Sequence, residues 1–211
     1  MGSKSQGLLI TFEGGEGAGK STQIQLLAEG LQAHGHEVVL TRQPGGTTYG
    51  KRIRDLILEP AQEETLSSRA ELFLYLADRA HHVEYLVRPA LSAGKIVICD
   101  RYTDSTLAYQ GYGRGLDLDQ LHMLNAAATD HLVPDLTFWL DLDPRLGRER
   151  IAGRGTLDRL ESEDLSFHEA VRAGYAALAA QDPERWIQVD ARQSVAAIQD
   201  FALQRALFFL N

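Results

Sequence analysis

Gly14-Gly15-Glu16-Gly17-Ala18-Gly19-Lys20-Ser21 fits the spacing G-x-x-x-x-G-K-[ST], the signature of a phosphate-binding loop. Before it stands Leu8-Leu9-Ile10-Thr11-Phe12, an apolar run that reads as a buried strand. After it, Ser21-Thr22-Gln23-Ile24-Gln25-Leu26-Leu27-Ala28 carries apolar residues at helical spacing. The motif therefore has the context it requires: strand, glycine loop, helix. The glycines let the backbone bend round an anion with no Cβ in the way. Loop N–H groups and the helix N-terminus then face the phosphates. In that geometry Lys20 reaches the β- and γ-phosphates and the Ser21 hydroxyl binds Mg²⁺.

Composition narrows the class. The chain has 211 residues, 44% hydrophobic and 24% charged, which suits one α/β domain with a full core rather than disorder. A formal net charge of −8 argues against non-specific nucleic-acid or membrane binding, so an anionic ligand needs local positive charge. The single cysteine, Cys99, excludes an internal disulfide and fits a reducing cytoplasm. No stretch is long and apolar enough to span a bilayer, and Met1–Gln6 lacks the apolar core of a signal peptide.

Strand and helix signals alternate along the chain, which predicts a parallel sheet covered on both faces. Strands are expected at His36–Arg42, Ile96–Cys99, Leu136–Asp141 and Trp186–Val189, besides the first. A helix is expected from about Gly50 to Leu58. Another should run from Ser67 to Ala93, with Leu72, Leu76, Ala80, Val83, Val87 and Leu91 facing the core and Gly94 ending it. Further helices are expected at about Asp104–Gly111, Leu118–Asp130 and His168–Gln181, and after a Ser194 cap. Pro144 opens a helix assigned Arg145, Arg148, Arg150 and Arg154, broken by Gly153 and Gly155.

Asp100 closes the apolar run Ile-Val-Ile-Cys, where a carboxylate can hold the hydration shell of Mg²⁺ near Ser21. Arg101 follows at once, at the carboxyl edge of the sheet where ligands bind. Two i, i+4 pairs share helix faces: Tyr75 with Arg79, and Thr106 with Gln110. The first can stack on a base and bind its edge, though periodicity alone favours a half-buried Tyr75 and an exposed Arg79. The second offers neutral hydrogen-bonding groups for reading a base. The arginines from Arg148 to Arg159, beside a glycine-flanked polar loop, have the composition of a mobile lid over about 148–166, with Arg150 and Arg154 on one helical face.

Taken with the loop, five segments resemble the thymidylate kinase family in order and spacing. They are Thr41–Gly46, Ala77–Ala80, Asp100–Tyr102, Ala108–Gly111, and Gly153–Gly155 with Asp158–Glu161. The resemblance covers nearly the whole chain. It implies an α/β, P-loop NTPase fold of the nucleoside monophosphate kinase type, with five parallel strands and a lid. It implies phosphorylation of dTMP to dTDP with Mg·ATP, a step of dTTP synthesis, in a cytoplasmic homodimer. By the same resemblance, Gly14 to Ser21 and Thr22 would hold the ATP phosphates, helped by Arg150. Glu16 would approach the acceptor sugar and phosphate. Arg42, Arg54 and Arg101 would surround the acceptor phosphate. Tyr75 would stack on thymine and Arg79 would contact a thymine carbonyl. Thr106 and Gln110 would lie near the base. Tyr109 would sit by the sugar, leaving little room for a 2′-hydroxyl. Arg154 matches the catalytic lid arginine of the bacterial form. The stretch Asp190–Gln193, with Arg192, would lie near the adenine. Lys20, Arg101, Arg154 and Glu16 form the implied catalytic set, with Ser21 and Asp100 for the metal. Two positions depart from the family pattern: Gln43 stands where a Glu is usual, and Tyr75 where a Phe is usual. The first removes a charge and the second adds a hydroxyl that needs a partner.

Two rival readings follow from the residues. Another nucleotide or nucleoside kinase of this fold is opposed, for a nucleoside acceptor, by three arginines placed for an acceptor phosphate. A nucleotide-dependent switch that binds guanine would carry Asn-Lys-x-Asp, which the chain lacks.

Overall fold

The computed structural model describes residues 7–59, 66–153 and 158–210. The elements run β1 (Leu8–Glu13), α1 (Lys20–Ala33), β2 (Val38–Arg42), α2 (Thr48–Leu58), α3 (Ser68–His82) and α4 (Arg88–Ser92). They continue through β3 (Ile96–Asp100), α5 (Thr103–Thr106), α6 (Leu118–Thr129), β4 (Leu136–Asp141), α7 (Pro144–Ile151), α8 (Leu165–Gln181), β5 (Trp186–Asp190) and α9 (Val195–Leu210). The five strands form one parallel sheet in the order β2-β3-β1-β4-β5. The α/β fold and its five strands are as the sequence predicts.

Parallel strands covered on both faces read as continuous apolar runs. Leu9, Ile10, Phe12, Val97, Ile98, Phe138 and Leu140 are accordingly fully buried. One core joins α1 and α9 to the sheet, with the Phe12 and Phe138 rings stacked at 5.1 Å. A second packs α3, α6 and α8 around Trp139, Tyr175 and Trp186. Register sets the site: Phe12 and Arg42 both pair with Asp100 across β1, β3 and β2. The carboxyl ends of these strands thus open on one level, the position of ligand crevices in open α/β sheets.

Several boundaries differ from expectation. The helix expected over 67–93 is interrupted by a wide π-helical turn at Val83–Val87. Leu72, Leu76, Val83 and Val87 are buried as expected, but Ala80 is exposed. A second π-helical turn, Leu107–Gly113, continues α5. The helix opened by Pro144 ends at Ile151, so it does not carry Arg154. Arg154 and Gly155 lie outside the described residues, as does Met1–Gln6.

Candidate active site

The phosphate loop leaves β1 at Glu13 and enters α1 at Lys20. Lys20 Nζ donates to the carbonyls of Gly14 and Gly15, at 3.0 and 2.9 Å, which curls the loop around its own ammonium. Burial depresses the Lys20 pKa, and Arg101 adds to this against the pull of Glu16, Asp100 and Glu13. The stem of α7 packs backbone to backbone on the loop. A Cβ on Gly17 would stand 2.5 Å from the Gly147 oxygen, and one on Gly147 would stand 2.3 Å from the Glu16 oxygen. Arg150, exposed on α7, donates to the Gly17 carbonyl at 3.2 Å and the Ala191 carbonyl at 3.1 Å. It therefore ties the loop to the segment after β5.

A cavity of about 320 Å³ opens above the strand ends. Its wall includes loop residues Glu16 to Thr22, and Arg42, Arg54, Tyr75, Arg79, Asp100, Arg101, Thr106, Tyr109 and Gln110. Residues expected to bind both nucleotides therefore share one space. Arg192 stands apart, on the surface after β5, paired with Asp190 at 2.8 Å.

At the cavity floor Arg101 adopts φ 68°, a left-handed conformation that an L side chain rarely takes. Its backbone N–H donates to the Phe12 carbonyl at 3.0 Å. Its guanidinium meets Glu16 at 2.5 Å and lies over the Tyr109 ring at 4.8 Å. Tyr109 also donates its hydroxyl to Glu16, at 3.2 Å. Burial alone would raise the Glu16 pKa, but Arg101 and Lys20 outweigh it and hold the carboxyl at about 2. Glu16 is thus a permanent carboxylate between the two cations.

Beyond Arg101 the charge is positive. Burial lowers the Arg54 pKa, and the neighbouring Arg42 lowers it further. Mutual repulsion of this kind marks a place prepared for an anion. Arg54 is aimed by a hydrogen bond from Nη1 to the Pro44 carbonyl at 3.1 Å.

Arg79 corrects the reading from periodicity: it is only 2% exposed. It sits between α3, α5 and α6, where helical spacing on α3 alone gives no sign of the neighbours. Nε donates to Gln43 Oε1 at 2.9 Å; Nη1 donates to Thr106 and Asn125 at 2.8 and 2.6 Å; Nη2 donates to the Tyr102 carbonyl at 3.0 Å. The Arg79 bond fixes the Gln43 amide with its oxygen inward. The amide nitrogen therefore donates to His82 Nδ1 at 2.7 Å, and His82 Nε2 donates to Thr41 at 2.6 Å. Burial and the Arg79 charge push the His82 pKa down to about 4, so this tautomer is neutral. A neutral amide at position 43 suits a neutral imidazole.

Gln110 donates to Glu71 at 2.7 Å, and Glu71 also receives Arg159 at 2.6 Å and Arg114 at 3.3 Å. Glu71 is fully buried and escaped the sequence reading. Through it, the segment after the undescribed residues 154–157 is tied to α3. Arg148 reaches the carbonyl of Glu163, and Arg145 pairs with Glu169. The described members of the arginine cluster, Arg148, Arg150 and Arg159, therefore all bind protein partners, and none lines the cavity.

Asp100 Oδ1 is buried without a hydrogen-bond partner, and the exposed Ser21 shares its cavity. An orphaned carboxylate oxygen and a free-standing hydroxyl are the hard oxygen donors that Mg²⁺ takes, so the residues fit the ion. Among the described residues no group of three or more His, Cys, Asp or Glu side chains could hold a metal, which matches an ion held largely through phosphates and water. Glu13, fully buried and hydrogen-bonded to Tyr102, Ser105 and Tyr175, also escapes the reading of the sequence. It closes β1 as Asp100 closes β3, and that shared position was the available signal.

The family model described as thymidylate kinase matches residues 12–202. The chain is 52% identical over 206 residues to a thymidylate kinase of Gloeobacter violaceus, covering 97% of this chain and 96% of that one. It is 56% identical over 193 residues to one of Desulfovibrio desulfuricans, covering 88% of each. Its fold is similar to the crystal structure of thymidylate kinase from Ehrlichia chaffeensis, with a TM-score of 0.79 and 34% identity over 95% of this chain and 98% of that one.

Proposed function

Since the chain belongs to the thymidylate kinase family, we propose that its cavity transfers the γ-phosphoryl group of ATP to the 5′-phosphate of dTMP, giving dTDP and ADP. The observation that carries this reading is the pair of cationic clusters in one cavity. Lys20 and the loop line it together with Arg42 and Arg54, and Arg101 joins the two groups through Glu16 of the loop. Two phosphate-bearing substrates are thereby held end to end.

A phosphate oxygen of dTMP attacks the γ-phosphorus as the bond to the β–γ bridging oxygen breaks, and ADP leaves with that oxygen. The protein's work is positioning and charge compensation, because the transition state spreads charge over the equatorial oxygens. Lys20 holds the β- and γ-phosphates. Arg101 spans both ends, with Glu16 fixing its guanidinium. Asp100 and Ser21 would hold Mg²⁺, which when bound would neutralise charge on the donor phosphates. Arg79 and Thr106, already bonded to each other, and Gln110 read the base. Tyr75 stacks on it, and Tyr109 limits space beside the sugar. Arg150 and Arg192 line the approach to the donor base. Residues from about 148 to 166 act as a lid that brings Arg154 to the transferring group and excludes water.

The whole chain acts as one domain. The exposed Tyr49 and Leu56 on α2, Phe73 on α3, Tyr85 in the π-helical turn after α3 and Met123 on α6 support a homodimer across these elements. Among the described residues no helix is long and apolar enough to cross a membrane, and Cys99 is free and buried, which supports a cytoplasmic enzyme. The net charge of −8 weighs against nucleic acid as a partner.

The test is ADP release with Mg·ATP and a panel of dTMP, dUMP, UMP, dCMP, AMP and GMP. Turnover dominated by dTMP is expected. Dominance of another monophosphate overturns the assigned acceptor, and ATP turnover independent of any monophosphate overturns the reaction.

A further inference from the structure

Glu13 is fully buried beneath the cavity and touches none of its free space. Its two oxygens divide their work. Oε1 accepts the backbone N–H of Tyr102 at 2.8 Å. Oε2 accepts the hydroxyls of Ser105 and Tyr175 at 2.6 and 2.8 Å. Those hydroxyls stand 2.9 Å apart, and each also meets Arg101 Nη1, Ser105 at 3.3 Å and Tyr175 at 3.1 Å.

Direction in this network is dictated by chemistry. A guanidinium only donates, so Ser105 and Tyr175 must accept from Arg101. Their own hydrogens must then go elsewhere, and Glu13 in its ionised form, the form present above about pH 7, is an acceptor with room for both. With Glu13 at the end, every hydrogen points from Arg101 toward β1. Without it, either hydroxyl can turn its hydrogen toward the guanidinium and repel it. Oε1 meanwhile holds the peptide after Arg101, next to the left-handed residue itself. Glu13 thus grips Arg101 from the backbone side and the side-chain side at once.

We propose that Glu13 is a positioning residue for phosphoryl transfer: through Ser105, Tyr175 and the Tyr102 amide it aims the Arg101 guanidinium across the cavity. It acts only through Arg101, and so rests on the role given above to that arginine. The acidic and basic groups around Glu13 are Asp104, Arg101, Lys20 and Arg79, with Cys99 and Tyr175. Asp104 is itself paired with Arg185 at 2.7 Å, which leaves the two hydroxyls to Glu13.

The test is a double-mutant cycle on dTMP-dependent turnover, with Glu13→Gln and Arg101→Ala singly and together. Tyr175→Phe, which removes one hydroxyl and keeps the ring packing, is a second variant should Glu13→Gln fold poorly. Arg101→Ala alone tests the role of Arg101. A normal kcat for it sinks that assignment independently of Glu13. For Glu13→Gln and for Tyr175→Phe we expect kcat to fall about tenfold, with KM for both substrates within about twofold. In the Arg101→Ala background neither change should lower kcat further. An equal fall in both backgrounds would mean that the residue merely supports the fold. A rise in KM at constant kcat, or no loss at all, also overturns the proposal.

Discussion

The two ends of the cavity are built differently. At the acceptor end Arg79 is 2% exposed, and the four hydrogen bonds it makes also join α3, α5, α6 and the turn after β2. At the donor end Ser21 and Thr22 are exposed; Arg192, outside the cavity, has a 70% exposed side chain paired with its neighbour Asp190. One end is assembled by the core before substrate arrives, whereas the other presents a loop and waits for phosphates to complete it. Substitutions at the donor end should therefore cost activity, and those at the acceptor end should cost stability as well.

The sharpest way to break this contrast is Lys20→Ala. Loss of a charge aimed at the transferring group should lower kcat about 10³-fold, while dTMP binding stays close to that of the unchanged protein and the melting temperature falls only by what the Gly14 and Gly15 bonds contribute. A large fall in melting temperature would deny that the donor end is free of structural duty. Next comes Arg79→Met, which strands Gln43, Thr106, Asn125 and the Tyr102 carbonyl. Unfolding in urea should show a loss of about 3 kcal/mol together with weaker dTMP binding. An unchanged midpoint would mean that the acceptor end is not prebuilt.

Titration probes the same end. His82 is held at about 4 against an ordinary 6.5, so its contribution is present above pH 6.5 and is lost as pH falls to 4, about 3 kcal/mol in all. Burial, reinforced by Asp104, raises Glu13 to about 7 from 4.5. Its contribution is present below pH 4.5 and is lost as pH rises through 7. Between pH 4.5 and 6.5 the two slopes oppose. His82→Asn should remove the first, leaving stability that falls steadily from pH 4.5 to 7 in thermal melts. A profile unchanged by the substitution would contradict the neutral His82 drawn from the Gln43 geometry. The smallest effect is expected for Arg192→Ala, whose fully exposed pair should alter KM for ATP by less than about threefold.

The elements legible in the sequence were those whose signal is local. The loop reads from its glycines and Lys-Ser, and Asp100 reads from the apolar strand it closes. Glu13 closes β1 in the same way, yet it passed unnoticed because the glycine motif beside it drew the whole interpretation. Arg79 was misjudged for a different reason. Its burial depends on α5 and α6, which no periodicity on α3 reports. Glu71 is similar: a charged residue in a helix's first turn reads as a favourable dipole contact, and only the fold brings Gln110, Arg114 and Arg159 to it. The π-helical turns at Val83–Val87 and Leu107–Gly113 leave no mark in composition.

Gly17 and Gly147 stand on opposite sides of one contact, with no space for a carbon on either. Gly147 lines no part of the cavity, and the two are far apart in the chain. In a survey of tolerated substitutions both would nevertheless score as intolerant as the phosphate-binding lysine. Restoring one would not rescue the other. A map of mutational sensitivity thus reads a seam between two pieces of backbone as though it were chemistry, and only the geometry separates the two.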